Sequence, residues 1–173
     1  MRRELGEGYE LDDDPARIDL DALHTYINLE SYWGRGRPRA VTERALEGSS
    51  RVLGLYYRGE LVGFARAVSD GATFAYLADV YVLAEHRGRG LGLELVREML
   101  DGGPRWAVRW LLYTADAQGL YAKLGFVEGP PAYPRMERPR EASAGARAGD
   151  GLAGGGPLGA PVADTERRGR DRR

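Results

Sequence analysis

The sequence predicts an α+β fold in which a β-sheet packs against helices, and three observations support this prediction. Apolar residues recur at helical spacing before residue 50 and lie in short β-rich runs after it. Two of these runs flank Arg58-Gly59-Glu60, a tight hairpin signal that makes their strands antiparallel. A helix separates the run at 74–82 from the run at 106–113, and such a crossover makes those two strands parallel.

The first half of the chain contains two predicted helices. A weak edge-strand candidate at 8–11 precedes them. The first helix begins after Asp19, which is a suitable N-cap, and continues to about residue 30 because its apolar residues share one face. Glycines and a proline predict a loop at 32–38, and a second helix is centred on 42–46.

Three strands are predicted next. Alternating apolar residues indicate strands at 52–57 and 61–68. The turn signal Asp70-Gly71 then leads into a third strand at 74–82, which ends at a glycine-rich turn.

The helix after the third strand is amphipathic, and its apolar face is predicted to lie on the sheet. That face consists of Leu91, Leu95, Val96 and Met99, and the charged residues predicted to lie off it are Glu94, Arg97, Glu98 and Asp101. A largely apolar strand at 106–113, a short helix at 117–124 and a last edge strand at 132–137 complete the predicted fold.

Length and composition predict one folded domain with a tail. The chain has 173 residues, of which we expect 1–140 to form the domain. The segment 141–173 is dominated by Ala, Gly, Arg and Asp without periodicity. It is predicted to be disordered, because it buries too little apolar surface to offset the entropy of ordering it.

Charge and composition exclude several classes of function. The formal net charge of -1 argues against a chain dedicated to nucleic acid or to an anionic membrane. The absence of cysteine excludes a thiolate nucleophile and a disulfide framework, and His24 and His86 lack the spacing of a metal site. No apolar run reaches membrane-spanning length, so we expect a cytoplasmic protein that binds no metal. The sequence leaves open whether it is a monomer or a homodimer.

The turn between the third strand and its helix has the composition of an anion-binding loop. Gly88, Gly90 and Gly92 are predicted to take positive φ and to direct successive N–H groups at one anion, near the positive end of the helix dipole. Arg87 and Arg89 add charge that pairs with phosphate. The spacing fits neither a P-loop nor a dinucleotide-binding loop. A turn that only allows close packing is the alternative.

Two motifs resemble those of the GNAT superfamily of N-acetyltransferases. The first is R-x-x-G-x-G, filled by Arg87, Gly90 and Gly92, which resembles the acyl-coenzyme A pyrophosphate loop of that family. The second is L-Y-x-K-x-G-F at 120–126. The resemblance covers roughly 8–136. It implies a mixed, mostly antiparallel central sheet flanked by helices in three α/β layers, with acetyl-CoA wedged between the third strand and the strand after the helix.

The resemblance also implies roles for individual residues. Tyr121 takes the place of a tyrosine that protonates the leaving thiolate, the alternative being an aromatic packed in the core. Thr114 stands where many members have an asparagine that binds the pantetheine arm, with Asp116 as its substitute. Tyr32 and Trp33 either border the acceptor pocket or belong to the core. The cofactor-binding residues implied are Val80, Tyr81, Val82, Arg87, Gly88, Arg89, Gly90, Leu91, Gly92, Thr114 and Asp116.

Acyl transfer to an amine needs a neutral nucleophile, a stabilised oxyanion and a proton for the departing sulfur. The resemblance implies that a backbone N–H in the 80–82 region binds the oxyanion. A tyrosine, with an ordinary pKa of about 10, is able to protonate a thiolate whose conjugate acid has a pKa of about 8 to 9. Asp79 is the candidate base, because a carboxylate inside an apolar strand is costly unless it is paired or in a cleft. Capping of a backbone group or pairing with an arginine is the alternative.

These inferences predict an N-acetyltransferase that moves the acetyl group of acetyl-CoA directly to a primary amine, which suits a chain without cysteine. The acceptor is a small-molecule or peptide amine that the sequence does not identify. Two other functions stay open on the same fold, namely a catalytically inactive acyl-CoA-binding sensor and a protein-interaction module.

Overall fold

Residues 1–103 and 109–129 are described by a computed structural model of the chain, and they form one six-stranded sheet with helices packed against it. The strands lie side by side in chain order. They are β1 (Arg2–Gly6), β2 (Tyr9–Asp12), β3 (Arg51–Tyr57), β4 (Glu60–Ser69), β5 (Phe74–Val82) and β6 (Arg109–Leu111). The helices are α1 (Leu20–Thr25), α2 (Arg39–Glu47), α3 (Leu91–Asp101) and α4 (Gln118–Ala122).

The sheet is mixed and mostly antiparallel. Each strand from β1 to β5 pairs antiparallel with the next one. β6 runs parallel to β5, with Phe74 opposite Arg109 and Tyr76 opposite Leu111. This parallel pair arises because α3 carries the chain back across the sheet between the two strands. The predicted fold class is confirmed.

The two faces of the sheet carry separate hydrophobic cores, which explains why β3 is buried along almost its whole length. Leu53 and Leu55 belong to the core shared with α3, whereas Val52 and Tyr56 belong to the core shared with α1. Successive side chains of a strand point to opposite faces, so β3 serves both cores. The sheet is therefore the middle of three layers.

The outer edge of the sheet differs from the prediction. Residues 9–11 of the weak edge strand predicted at 8–11 lie in β2, all four residues of which are buried. β1 pairs outside β2, and the sequence indicated no strand there because Arg2, Arg3 and Glu4 interrupt any apolar alternation. A short, charged edge strand resists pairing with another molecule.

The first helix has the predicted start and a modified end. The Asp19 side chain accepts hydrogen bonds from the N–H groups of Asp21 and Ala22, which confirms it as the N-cap. After α1 the chain continues through residue 30 in a wider π-helical turn. The predicted length is therefore right, although only the first part is α-helical.

The apolar face of α3 is as predicted, with Leu91, Leu95, Val96 and Met99 all buried. The prediction for Glu98 was wrong, since it is only 7% exposed. Its carboxylate accepts a hydrogen bond of 2.8 Å from Arg3 and lies 3.6 Å from the Arg51 guanidinium. Glu98 is buried because arginines from β1 and β3 meet it there, and a paired charge tolerates burial.

The C-terminal elements are described only in part. β6 covers three residues of the strand predicted at 106–113, and α4 ends at Ala122, two residues before the predicted end. The predicted edge strand at 132–137 and the predicted tail at 141–173 lie outside the described residues. Within 1–103 and 109–129, no helix has the length and apolar character needed to cross a membrane.

One prediction concerns the hydroxyl of Tyr56, which is buried without a hydrogen-bond partner among the described residues. The side chain is 2% exposed, and its ring lies 4.2 Å from the guanidinium carbon of Arg17. An unpaired buried hydroxyl costs free energy, so Tyr56→Phe is expected to leave the free energy of unfolding unchanged or to raise it by about 1 kcal/mol. Urea denaturation measures this change.

Tyr26→Phe is the matched control. The Tyr26 hydroxyl accepts a hydrogen bond of 3.1 Å from Arg87, so its removal is expected to lower the free energy of unfolding by about 0.5–1.5 kcal/mol. A larger loss of stability in Tyr56→Phe than in Tyr26→Phe would contradict the assignment of an unpaired hydroxyl.

Candidate active site

β5 and β6 separate beyond a short paired segment. Their ladder covers Phe74 to Tyr76 on β5, although β5 continues to Val82. A cavity of about 580 Å³ lies at this separation. Its walls come from the middle of β5, from the segment between β6 and α4, and from the loop between α1 and α2. The separation of the strands thus opens a cleft inside the sheet.

A β-bulge in β5 places a charged residue at this cleft. Phe64 of β4 pairs with Tyr81, whereas Arg66, two residues further on, pairs with Ala78, so β5 carries one extra residue. Within the bulge Asp79 has a φ of 50°, a left-handed conformation that Asp tolerates better than most residues. Bulges re-aim side chains, and here the carboxylate lines the cavity.

The Asp79 carboxylate accepts four hydrogen bonds. Arg37 donates to both oxygens, at 2.9 Å to Oδ2 and 3.0 Å to Oδ1. Arg66 Nε donates to Oδ2 at 2.7 Å, and the indole N–H of Trp33 donates to Oδ1 at 3.0 Å. Two carboxylate oxygens offer about four lone-pair sites, so this carboxylate is fully occupied. Pairing with arginine, the alternative considered for Asp79, is the geometry observed.

The charges around Asp79 determine its protonation state. Burial by itself would raise the pKa of Asp79, but the hydrogen bonds from Arg37 and the charge of Arg66 outweigh it and hold the pKa below its ordinary value. The group is therefore a carboxylate at neutral pH. Its low pKa and its occupied oxygens both make it a weak proton acceptor.

Tyr121 lies on α4 and lines the same cavity. Its side chain is 9% exposed and its ring meets the edge of Phe126, with centroids 5.7 Å apart. No described residue hydrogen-bonds its hydroxyl group. Burial raises the pKa of Tyr121 to about 12, so the hydroxyl keeps its proton at neutral pH. The ring packs in the core, as the second alternative has it, and the residue also borders the cavity, while its role as an acid stays a prediction.

The remaining predicted residues of this region meet around the cavity. The Tyr32 hydroxyl accepts a hydrogen bond of 2.9 Å from the Ala115 N–H, which ties the loop after α1 to the segment before α4. The Thr114 hydroxyl accepts a hydrogen bond of 3.0 Å from the Ala117 N–H at the start of α4. Trp33 and Asp116 also line the cavity. Tyr32 and Trp33 are 48% and 36% exposed, so they are not core residues.

The glycine-rich turn between β5 and α3 presents unpaired amides. Gly88 and Gly90 have φ of 77° and 79°, as predicted. A Cβ added at either glycine would meet nothing within 4 Å. The backbone N–H groups of residues 88–92 donate to no other described residue, whereas the amides of Arg87 and Leu93 on either side are bonded. These amides therefore have no backbone partner among the described residues, and they lie next to the N-terminus of α3.

Gly92 differs from the prediction of positive φ. It lies inside α3, and a Cβ there would come 3.3 Å from the side chain of Leu120 and 3.8 Å from Val82. Glycine at this position allows close packing, which was the alternative considered for the whole turn. Because Leu120 precedes Tyr121 on α4, this close approach packs the start of α3 against the helix that carries the tyrosine.

The two arginines of the turn have different surroundings. Arg87 donates from Nε to the Val82 carbonyl at 2.7 Å and from its terminal nitrogen to the Tyr26 hydroxyl. It therefore fastens the turn to the end of β5. Arg89 is exposed, and no described residue pairs with it. Arg89 is thus the freer of the two cations to meet a phosphate.

The side chains of the three predicted residues at the end of β5, Val80, Tyr81 and Val82, point to different parts of the structure. Val80 lines the cavity. Tyr81 lies on the opposite face and stacks on Tyr26 with ring centroids 3.8 Å apart, and Val82 belongs to the core under α3. The Tyr81 and Val82 side chains thus serve packing, so any contact of these residues with a ligand in the cleft falls to their backbone.

Comparison with known proteins identifies the family of this chain. The model of the acetyltransferase (GNAT) family matches residues 14–126, which is well over half of the chain. The chain belongs to the GNAT family of acetyltransferases. The matched range ends at Phe126, the last residue of the second motif, and contains the cavity and the glycine-rich turn.

Several relatives of this GNAT protein are known. A protein of Gibberella zeae named as an acetyltransferase is 34% identical over 137 residues, which cover 66% of this chain and 76% of the relative. The solved structure of a GNAT-family protein from Xanthomonas campestris pv. campestris is 38% identical, with a TM-score of 0.70 over 76% of this chain and 93% of that one. An aminoglycoside acetyltransferase from a soil metagenomic sample, 23% identical with a TM-score of 0.57 over 76% of this chain and 98% of that one, shows the same fold.

Two residues of this GNAT site were not identified from the sequence. Arg66 stands between alanines in the apolar strand β4, and a charge in such a strand was the signal that identified Asp79. The same reasoning applied to Arg66 would have found it. Arg37 lies in a loop with one other arginine, Arg35, and nothing in the sequence singles out either of them.

Proposed function

We propose that this GNAT protein transfers an acetyl group from acetyl-CoA to a primary amine without a covalent enzyme intermediate. One observation carries the proposal: the amides of residues 88–92, which have no partner among the described residues, lie at the start of α3, and α3 packs against α4, which carries Tyr121 to the cavity where β5 and β6 separate. An anion-binding turn and a protonated acid at one cleft suit a substrate with a diphosphate at one end and a thioester at the other.

The residues present fit acetyl-CoA. The N–H groups of 88–92 and the Arg89 side chain would hold the diphosphate, and Arg87 would keep the turn in place. The cleft between β5 and the segment before α4 would hold the pantetheine arm, near Thr114 and Asp116. Acetyl-CoA supplies an activated acyl group, since its thiolate is a good leaving group.

In the proposed reaction the neutral amine nitrogen forms a bond to the acetyl carbon, and the carbon–sulfur bond breaks with its electron pair on sulfur. Tyr121 donates its hydroxyl proton to that sulfur, and the proton lost by the amine passes to water in the cavity, from which Tyr121 is reprotonated. A backbone N–H of β5 near Val80 stabilises the oxyanion. The products are an N-acetylated amine and the free thiol.

Calorimetric titration with acetyl-CoA tests the proposal first. We expect binding with a Kd well below 1 mM. Release of free thiol on addition of an amine panel then separates an enzyme from an inactive acyl-CoA sensor on the same fold. Absence of binding at millimolar acetyl-CoA would instead favour a protein-interaction module. Action on small-molecule or peptide amines in the cytoplasm remains part of the proposal.

Gly90→Ala is expected to weaken the binding of acetyl-CoA at least about tenfold, because a Cβ at this positive φ strains the turn and projects into the space offered to the diphosphate. Calorimetric titration measures the affinity, and thermal unfolding measures the strain. Gly59→Ala is the matched control, since Gly59 has a φ of 92° with nothing within 4 Å but lies in the β3–β4 hairpin. Equal loss of affinity in both variants would contradict the proposed diphosphate site.

A further inference from the structure

The cluster around Asp79 holds more positive charge than its single carboxylate neutralises. Two guanidiniums, Arg37 and Arg66, share that one carboxylate, and all three groups line the cavity. The side chains of Arg37 and Arg66 are 18% and 15% exposed, and that of Asp79 is 5% exposed. The carboxylate is thus the innermost member, and the arginines present the remaining charge to the cavity.

The two arginines also retain unused hydrogen-bond donors. Of the ten N–H groups that two guanidiniums carry, three are used on Asp79. Arg66 binds Asp79 through Nε alone, and its two terminal nitrogens donate to no described residue. Guanidinium donors in a partly desolvated wall are stabilised by an oxygen anion, since carboxylate and phosphate match their planar geometry.

The cavity wall carries one further charged residue, Asp116. Asp116 belongs to the segment that carries the chain into α4, and its charge acts on Tyr121. The cavity therefore has a cationic wall around Arg66 and an anionic residue on the side of the acid Tyr121. This distribution complements a molecule with an anion at one end and an amine at the other.

We propose that the acceptor is an amine that also carries an anionic oxygen group, a carboxylate or a phosphate, which binds Arg66 and Arg37 while the amine lies toward Tyr121. The inference rests on the proposed function and adds the substrate class. An acceptor without an anion would leave the Arg66 donors desolvated and unpaired.

Matched acceptor pairs test the inference in the intact protein. The amino acids are compared with their carboxamides, and 2-aminoethyl phosphate is compared with ethanolamine, by release of free thiol from acetyl-CoA. The anionic member of at least one pair is expected to have a roughly tenfold to hundredfold higher kcat/KM, the range expected for a charge-assisted hydrogen bond. The two arms distinguish a carboxylate acceptor from a phosphate acceptor.

Variants then assign the preference to its residue. Arg66→Gln is expected to lose most of the preference for the anionic member, while the Kd for acetyl-CoA changes less than about threefold. Arg97→Gln is the control, because it removes an equal charge from the outer surface of α3. The comparison in the unaltered protein does not depend on whether the Arg66 variant folds.

Two results would overturn the inference while leaving the proposed function intact. One is acetylation of the neutral and anionic members of every pair at equal kcat/KM. The other is an Arg66→Gln variant that keeps the full preference. Binding of acetyl-CoA without thiol release in the presence of any amine is the result expected of an inactive sensor, and it would refute the inference and the proposed transfer together. A protein that fails to bind acetyl-CoA at all would refute the proposed function itself, so the two failures are distinguishable.

Discussion

Replacing Tyr121 by phenylalanine is expected to lower kcat by about a hundredfold to ten-thousandfold, the usual contribution of a positioned general acid. The Kd for acetyl-CoA is expected to change less than about threefold, because the ring and its contact with Phe126 remain. Steady-state kinetics and calorimetric titration measure the two quantities. Tyr56→Phe is the control, since it removes a buried hydroxyl that belongs to the core beside α1 rather than to the cavity wall.

The pH dependence adds a second test of Tyr121. The acid acts in its protonated form, and burial raises its pKa to about 12. The rate should therefore rise with pH as the acceptor amine loses its proton, without a descending limb below about pH 11. If kcat of the parent protein falls with rising pH below about pH 11, and kcat of Tyr121→Phe does not, the assigned pKa is contradicted. If kcat of Tyr121→Phe equals that of the parent, Tyr121 is not the acid.

Replacing Asp79 by asparagine is expected to lower the free energy of unfolding by about 3 kcal/mol, because it leaves two largely buried arginines without their counter-ion. Urea denaturation measures the loss. Asparagine tolerates the φ of 50° at this position nearly as well as aspartate, so the Asn variant removes the charge and one acceptor oxygen without adding backbone strain. Asp79→Ala should lose about 1 kcal/mol more from left-handed strain.

The same variants decide whether Asp79 acts as a base. We expect a positioning role, so Asp79→Asn should raise the acceptor KM while kcat falls less than about tenfold at a temperature where the variant is folded. A fall in kcat of a hundredfold or more, with an acceptor KM near that of the parent, would restore the base role. Rescue of that kcat at high pH would support the same conclusion.

Acid stability gives an independent measurement for Asp79. Its pKa is lowered in the folded protein, so its contribution to stability is complete above the unfolded pKa of about 3.9 and is lost as the pH falls through the lower folded value. The parent protein should therefore lose stability below about pH 4 more steeply than Asp79→Asn. Parallel stability curves for the two proteins would mean that Asp79 is not strongly paired in solution.

Much of the fold was predictable because its signals are local. Each of three signals is contained in a short stretch of sequence, and the structure confirms all three: the hairpin turn at Arg58-Gly59, the N-cap Asp19 and the apolar face of α3. β1 was missed because a charged edge strand has no apolar alternation. Glu98 was misplaced because its arginine partners are distant in the sequence, and periodicity describes a helix face but not what meets it.

The candidate site also has features that the local sequence shows and features that depend on residues far apart in the chain. Gly88 and Gly90 are recognisable because positive φ requires glycine at nearly any such turn. Asp79 was recognised as unusual, but its four hydrogen-bond donors come from the loop after α1 and from β4. The local sequence around such a carboxylate is the same whether the group is free to accept a proton or is fully hydrogen-bonded to arginines.

The amino-acid sequence alone determined the order of the strands and helices from β2 to α4, the glycine-rich turn and the family resemblance, because each is encoded in contiguous residues whose backbone preferences and spacing are intrinsic. The tertiary structure alone decided that β5 bulges at Asp79, that Arg37 and Arg66 converge there, and that the cavity has a cationic wall. These features depend on charges brought together from separate elements, and the energy of such contacts depends on distance and burial, which no local pattern specifies.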